Sequence, residues 1–292
     1  MSPAKGAPMS HHDEIEDHDL GLSHDLPTLL NRRWALTALA GLGVVSLVGC
    51  SPSATTTTAA SAPGAPPAGG GAPPAAAPAT ADSVAGLIPI ETAGPYPGDG
   101  SNGPDVLDDS GVVRRDITSS FAGATGKAVG VPLTITMTIL NLSAGNGGPL
   151  AKAAVYLWHC DRDGKYSMYS SGLNNENYLR GVQVSDAEGK VTFTSIFPGC
   201  YDGRWPHIHF EVYPSEADAV AATNRLRTSQ IALPEDTCKA VYATEGYASS
   251  ITNLAKVSLA TDNVFGDGYA LQLGKATGSV EAGFAVTLNV PV

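Results

Sequence analysis

Positive charge is what this 292-residue chain has least of: 17 lysines and arginines stand against 28 aspartates and glutamates, a net charge of −11. Asp13, Glu14, Glu16, Asp17, Asp19 and Asp25 fall in the first 50 residues with Lys5, Arg32 and Arg33. Beyond them 22 acidic residues face 14 basic ones, a net charge of −8. Affinity for a phosphate backbone rests on clustered Lys and Arg, so nucleic acid is not an expected partner. There is no internal repeat, P-loop or dinucleotide-binding fingerprint. Histidine is scarce as well: beyond the first 50 residues only His159, His207 and His209 occur. Any chemistry that needs imidazole must use these three. Cysteine is limited to four residues, Cys50, Cys160, Cys200 and Cys238, too few for a disulfide-built scaffold.

Long apolar runs are missing too. The longest, Ala35 to Val48, follows Asn31-Arg32-Arg33-Trp34 and ends at Gly49-Cys50. It falls short of the ~20 residues that a spanning helix needs, and a paired arginine ahead of a short apolar stretch has the layout of an export signal. Leu47-Val48-Gly49-Cys50 resembles a bacterial lipobox, in which the cysteine is lipidated. Residues 51–83 are almost wholly Ala, Pro, Thr, Ser and Gly; such a segment has little to bury and reads as a disordered tether. The expected organisation is therefore an export signal over 1–50, a linker over 51–83 and one folded domain over 84–292. The protein is expected outside the cytoplasm, touching the membrane only through an N-terminal lipid or signal anchor. With Cys50 assigned to the lipid, three cysteines remain. Cys200 and Cys238 both follow loop-forming residues and are the expected disulfide, leaving Cys160 a buried thiol.

The folded part reads as all-β. Pro132 to Leu142 alternates Leu133, Ile135, Met137 and Ile139 on one face with Thr134, Thr136 and Thr138 on the other, the period of a strand. Further strands are expected over Ala153 to His159, Val182 to Ser185, Lys190 to Phe197, His207 to Pro214, Ser229 to Leu233, Tyr269 to Leu273 and Ala285 to Val290. Asp186-Ala187-Glu188-Gly189 has the composition of a hairpin loop. Helical stretches are weak, near Ser215 to Arg225 and Glu235 to Tyr242. Many short strands with little helix indicate a β-sandwich.

His207-Ile208-His209 lies inside one of these strands. Residues two apart share a face, so the two imidazoles project side by side, a spacing that suits cis positions on a transition metal. Immediately upstream, the loop Gly199 to Pro206 brings Tyr201 and Arg204 close in sequence. Tyr166 follows an earlier strand and the turn Asp161-Arg162-Asp163-Gly164. A phenol bound as its anion is a hard donor that calls for a highly charged metal, because free phenol has a pKa of ~10. The chain has ten tyrosines, and composition does not select two of them.

An ordered set of motifs does. Gly94-Pro95-Tyr96, Arg115-Asp116-Ile117, Gly148-Pro149-Leu150, Val155-Tyr156-Leu157-Trp158, Asp163-Gly164-Lys165-Tyr166, Val184 to Gly189, Ile196-Phe197-Pro198-Gly199 and Pro206 to Phe210 together resemble the intradiol ring-cleavage dioxygenases. The likeness extends over about residues 89 to 235. It implies a β-sandwich, a non-haem Fe(III) cofactor, and cleavage of a small aromatic diol by O2 between its two hydroxylated carbons to a cis,cis-muconate. It also implies that Tyr166, Tyr201, His207 and His209 are the metal ligands, with Tyr201 and His209 axial and Tyr166 and His207 equatorial beside a hydroxide. Arg204 and Gln230 fall on pocket positions, and Tyr201 is implied to act as a base. Cys200, Asp202 and Trp205 depart from the commonest residues at what is expected to be the pocket edge. Two other readings fit the bare residues. One is a cupin-like oxygenase with His159 as a third histidine; the other is an exported β-sandwich that binds aromatic or sugar ligands around a structural or lost metal site.

Overall fold

The structure, a computed structural model, describes residues 86–142 and 147–292. The export segment, Cys50 and the linker lie outside the described residues. Nine strands are described: β1 (Pro132–Asn141), β2 (Gly148–Pro149), β3 (Ala154–Trp158), β4 (Arg180–Val184), β5 (Lys190–Ile196), β6 (His207–Tyr213), β7 (Arg227–Ala232), β8 (Lys275–Ser279) and β9 (Gly283–Pro291). Three short helices accompany them: α1 (Glu216–Val220), α2 (Glu235–Tyr242) and α3 (Ala248–Leu254). One sheet runs β2-β1-β9-β8, with β5 also paired to β1, and β1 parallel to β9. The other is antiparallel in the order β4-β3-β6-β7. Among the described residues no helix is long and apolar enough to cross a membrane.

The β1 alternation does what its sequence dictates. Leu133, Ile135, Met137 and Ile139 are buried against Val155, Leu157, Ile208, Phe210 and Val212 of the facing sheet. Each such side chain, fully withdrawn from water, stabilises the fold by about 1.5–3 kcal/mol. The intervening threonines stay half-buried. The second sheet is covered on its other face too. There Tyr156, Trp158, Val182 and Tyr213 pack with Val106, Leu107 and Val112 of the segment ahead of β1. That segment is fastened by backbone bonds from Glu91 to Thr228 and from Arg114 to Val182. Every residue of β3 and of β6 is consequently buried. This arrangement explains why His-Ile-His-Phe-Glu-Val-Tyr shows no exposed face and yet carries four ionisable groups.

Four expectations are corrected. The turn over 186–189 forms, with Gly189 N–H donating to the Asp186 carbonyl at 3.0 Å, but it does not close a hairpin. β4 pairs with β3 and β5 with β1, so the chain steps from one sheet to the other. Local composition encodes the turn, whereas long-range packing chooses each strand's partner. Tyr269 to Leu273 is a turn, with Leu273 making a single bridge to Ala232. A helix at Ala248–Leu254 forms where none was expected, because its polar sequence carries no apolar periodicity. Finally, Cys160, Cys200 and Cys238 are all free and buried. Burial raises their thiol pKa values, that of Cys200 to about 12, which keeps them protonated and unreactive. Alkylation of the unfolded protein without reductant should therefore label all three positions, as read by peptide mass mapping. A Cys200–Cys238 pair that stays unlabelled would contradict the structure.

Candidate metal centre

The outer face of the second sheet carries a row of side chains in register. Trp158 on β3 lies opposite His209 on β6, which lies opposite Gln230 on β7. His207 stands one step along the same face. Its Nδ1 lies 2.6 Å from the Trp205 carbonyl; a carbonyl can only accept, so Nδ1 holds the proton and Nε2 keeps its lone pair. The Nε2 atoms of His207 and His209 lie 3.0 Å apart, and Tyr201 Oη lies 3.3 Å from His207 Nε2. The Tyr166 hydroxyl and His209 Nδ1 are buried without a hydrogen-bond partner. The Tyr166 ring sits edge-on to both Tyr201 and His209, at centroid distances of 6.0 and 6.3 Å. On its other flank His209 stacks flat on Trp158, at 4.9 Å and an interplanar angle of 7°.

Each donor is delivered by a local device. Asp161 caps its own turn by accepting from Asp163 N–H and Lys165 N–H at 2.9 and 3.0 Å, which leads the chain into Tyr166. Its carbonyl accepts from Gly199 N–H at 2.9 Å, tying the loop that bears Tyr166 to the loop that bears Tyr201. Gly164, at φ +81, lies so close that a Cβ there would meet Tyr201 Cβ at 3.0 Å. Helix α3 holds the second loop, where Ser250 Oγ accepts from Cys200 N–H and Asn253 Nδ2 donates to the Cys200 carbonyl, each at 2.9 Å. The covering segment closes the face at Gly94, whose φ of +72 disfavours any side chain and where a Cβ would crowd His209 Cε1 at 3.3 Å.

Four of the residues expected at the site thus converge, and Arg204 and Gln230 join them. Arg204 Nη2 donates to Gln230 Oε1 at 2.8 Å and Arg204 Nε to Asp262 Oδ2 at 3.0 Å. Gln230 Nε2 donates to the Thr92 carbonyl at 3.0 Å. Sequence reasoning missed Asp262, which lies in an irregular segment far along the chain, and gave Trp158 no role. It also placed Cys200, Asp202 and Trp205 at the pocket edge. Instead Cys200 and Trp205 belong to the core between the sheets, and Asp202 is exposed beside Lys256. His159 is structural, as expected: its ring nitrogens lie 2.7 Å from the Cys160 carbonyl and 2.7 Å from Ser195 Oγ. With both nitrogens engaged it does not supply the third histidine of a cupin-like site.

The donors suit a hard, highly charged cation. Two nitrogens bound cis at about 2.1 Å from one ion would stand about 3 Å apart, the separation the two Nε2 atoms already have. Among the described residues no group of three or more His, Cys, Asp or Glu side chains converges, so a cation held here would need phenol oxygens beside the two imidazoles. Burial, and next the charge of Arg204, hold His207 well below the ordinary imidazole range. Burial and then His207 itself do the same to His209. Both rings are neutral and ready to bind. Burial pushes the Tyr166 phenol well up, and the nearby Tyr201 phenol adds to the shift, so without a cation Tyr166 stays a neutral phenol.

Residues 102–244 match the family model described as Dioxygenase. A chlorocatechol 1,2-dioxygenase from Rhodococcus opacus is 37% identical over 57 residues, 20% of this chain and 22% of that protein. Catechol 1,2-dioxygenase 2 from Acinetobacter lwoffii is 39% identical over 56 residues, 19% of this chain and 20% of that protein. The aligned segments thus span about a fifth of the length of these curated relatives. An intradiol ring-cleavage dioxygenase structure from Tetranychus urticae superposes with a TM-score of 0.55 at 23% identity, covering 70% of this chain and 94% of the other. At that identity the likeness concerns the fold.

The buried imidazoles give the metal-free protein a pH-dependent stability. In the unfolded chain each histidine takes up a proton near pH ~6.5, whereas the folded values lie lower, at about 4 for His159. The contribution is therefore complete above pH ~6.5 and declines as pH falls toward the folded values, by up to about 1.4 kcal/mol per pH unit per histidine. Urea unfolding of metal-free protein should show lower stability at pH 5.5 than at 7.5; equal stability at the two would contradict the buried, neutral assignment.

Proposed function

Because the folded domain belongs to the intradiol ring-cleavage dioxygenase family, we propose that it is an Fe(III)-dependent enzyme acting on a catechol-type diol. O2 would split the ring between the two hydroxylated carbons, and both oxygen atoms would enter a cis,cis-muconate-type product. The observation that carries this reading is the cluster of two neutral imidazoles with Nε2 atoms 3.0 Å apart, Tyr201 Oη beside them and the partnerless Tyr166 hydroxyl. Tyr166, Tyr201, His207 and His209 would hold the iron. When bound there, ferric ion would convert the phenols to phenolates and activate the chelated diol toward O2.

The chain's own residues account for the remaining tasks. Tyr201 is carried on a loop and not on the sheet, and its ring is only partly buried. Once ionised by the metal, its Oη would take a proton from an entering diol hydroxyl. Arg204 is buried, and its charge is felt at His207, His209 and Tyr166. It would stabilise negative charge that develops on the ring during attack, where a dry site makes a fixed cation most effective. Gln230 supplies a neutral acceptor that keeps the guanidinium beside His209 without cancelling its charge. Trp158 and Gly94 confine the His209 ring from two directions and fix where its Nε2 points. Export through the segment over 1–50 and a lipid on Cys50 would place the domain outside the cytoplasm, where it would meet diols from the surroundings.

Purified, iron-loaded protein should be red-brown from phenolate-to-iron charge transfer. It should take up one O2 per diol and form a muconate on a panel of catechol, protocatechuate and hydroxyquinol. A colourless iron-replete preparation, or uptake without a muconate, would refute the assignment. Tyr166→Phe should weaken metal retention or move the visible band, and an unchanged spectrum would remove Tyr166 from the site. Arg204→Leu should keep the band while kcat falls by about 10²–10³.

A further inference from the structure

We propose that Asp262 is the residue that aims Arg204, a positioning role that rests on the catalytic reading above. Its two carboxylate oxygens do different things. Oδ1 accepts from Val264 N–H and Phe265 N–H at 2.8 and 3.1 Å, capping the turn in which Asp262 sits. Oδ2 leaves that turn and accepts from Arg204 Nε–H at 3.0 Å and Trp205 N–H at 2.7 Å. The capped turn is rigid, because Asp262 N–H also donates to the Ser258 carbonyl and its own carbonyl accepts from Gly266 N–H, each at 2.9 Å. The carboxylate is fully buried and faces an arginine side chain that is 3% exposed, so water does not screen the pair.

Two fixed acceptors therefore determine the guanidinium. Asp262 holds Nε from one side and Gln230 Oε1 holds Nη2 at 2.8 Å from another, which sets both the position and the plane of the fork. A charge meant to meet a transition state gains from being oriented before the reaction begins. A residue that served only as a turn cap would need Oδ1 alone.

That division of labour supplies the test. In Asp262→Asn the amide oxygen can keep the cap, while the NH2 group faces two donors and the aiming contact is lost. The expected result is retained iron and visible band, with kcat lower by about 10- to 100-fold and KM within about threefold. The double variant Arg204→Leu/Asp262→Asn should be no slower than Arg204→Leu alone, because Asp262 acts through Arg204. Costs that multiply in the double variant, or activity lost in proportion to iron, would overturn the proposal. If the unmodified protein cleaves none of the diols, the catalytic reading fails by itself, and NMR of the metal-free protein still decides the link. A slowly exchanging Arg204 Nε–H resonance that is lost or moved in Asp262→Asn supports it; a resonance left in place refutes it.

Discussion

Burying β6 on both faces is the constraint around which the domain is organised. A sandwich needs only one covered face per sheet, and here the inward face of β6 is ordinary core, with Ile208, Phe210 and Val212 between the sheets. The outward face carries His207, His209 and Glu211, and the segment over 86–131 together with the loops after β3 and β5 closes over it. Polar groups in such a layer must find partners, because each one left unsatisfied costs about 1–3 kcal/mol. Glu211 finds them in Tyr213, Thr228 and Arg225. His209 and Tyr166 find them only in part. The domain therefore keeps a dry group of underused donors in place by packing that does not depend on them.

The supports of that group are spread through the chain, which decides how much could be read from sequence. The histidine pair was legible because a strand's period of two is a local rule, and β6 obeys it. β1 was legible for the same reason. Tyr166 and Tyr201 sit in loops, where no period marks a side chain's direction, and ordered motifs were needed to select them from ten tyrosines. Asp262 gave no signal at all. It lies in a segment whose apolar residues read as a strand a few positions later and proved to be turns, and its partner Arg204 is on the far side of five elements. The turn over 186–189 shows the same limit from the other direction. Its residues specify a reversal of the chain, but not whether the flanking strands pair with each other or separate into two sheets.

The protonation states of the donors carry a consequence for how the site would load. Imidazoles held neutral by burial have no protons to surrender at neutral pH, so a cation arriving at His207 and His209 competes with almost nothing there. The phenols are the opposite case. Burial makes Tyr166 a weaker acid than free phenol, so its proton leaves only when the incoming charge is large enough to reverse that penalty. A divalent ion with two available nitrogens gains little from a phenol it does not ionise, whereas a trivalent ion gains both phenolates. On the ferric reading the protein would select for charge through the weak acidity of Tyr166, while the nitrogen donors would fix where the ion sits. Burial supplies both properties, and it is the same burial that the doubly covered strand imposes on everything it carries.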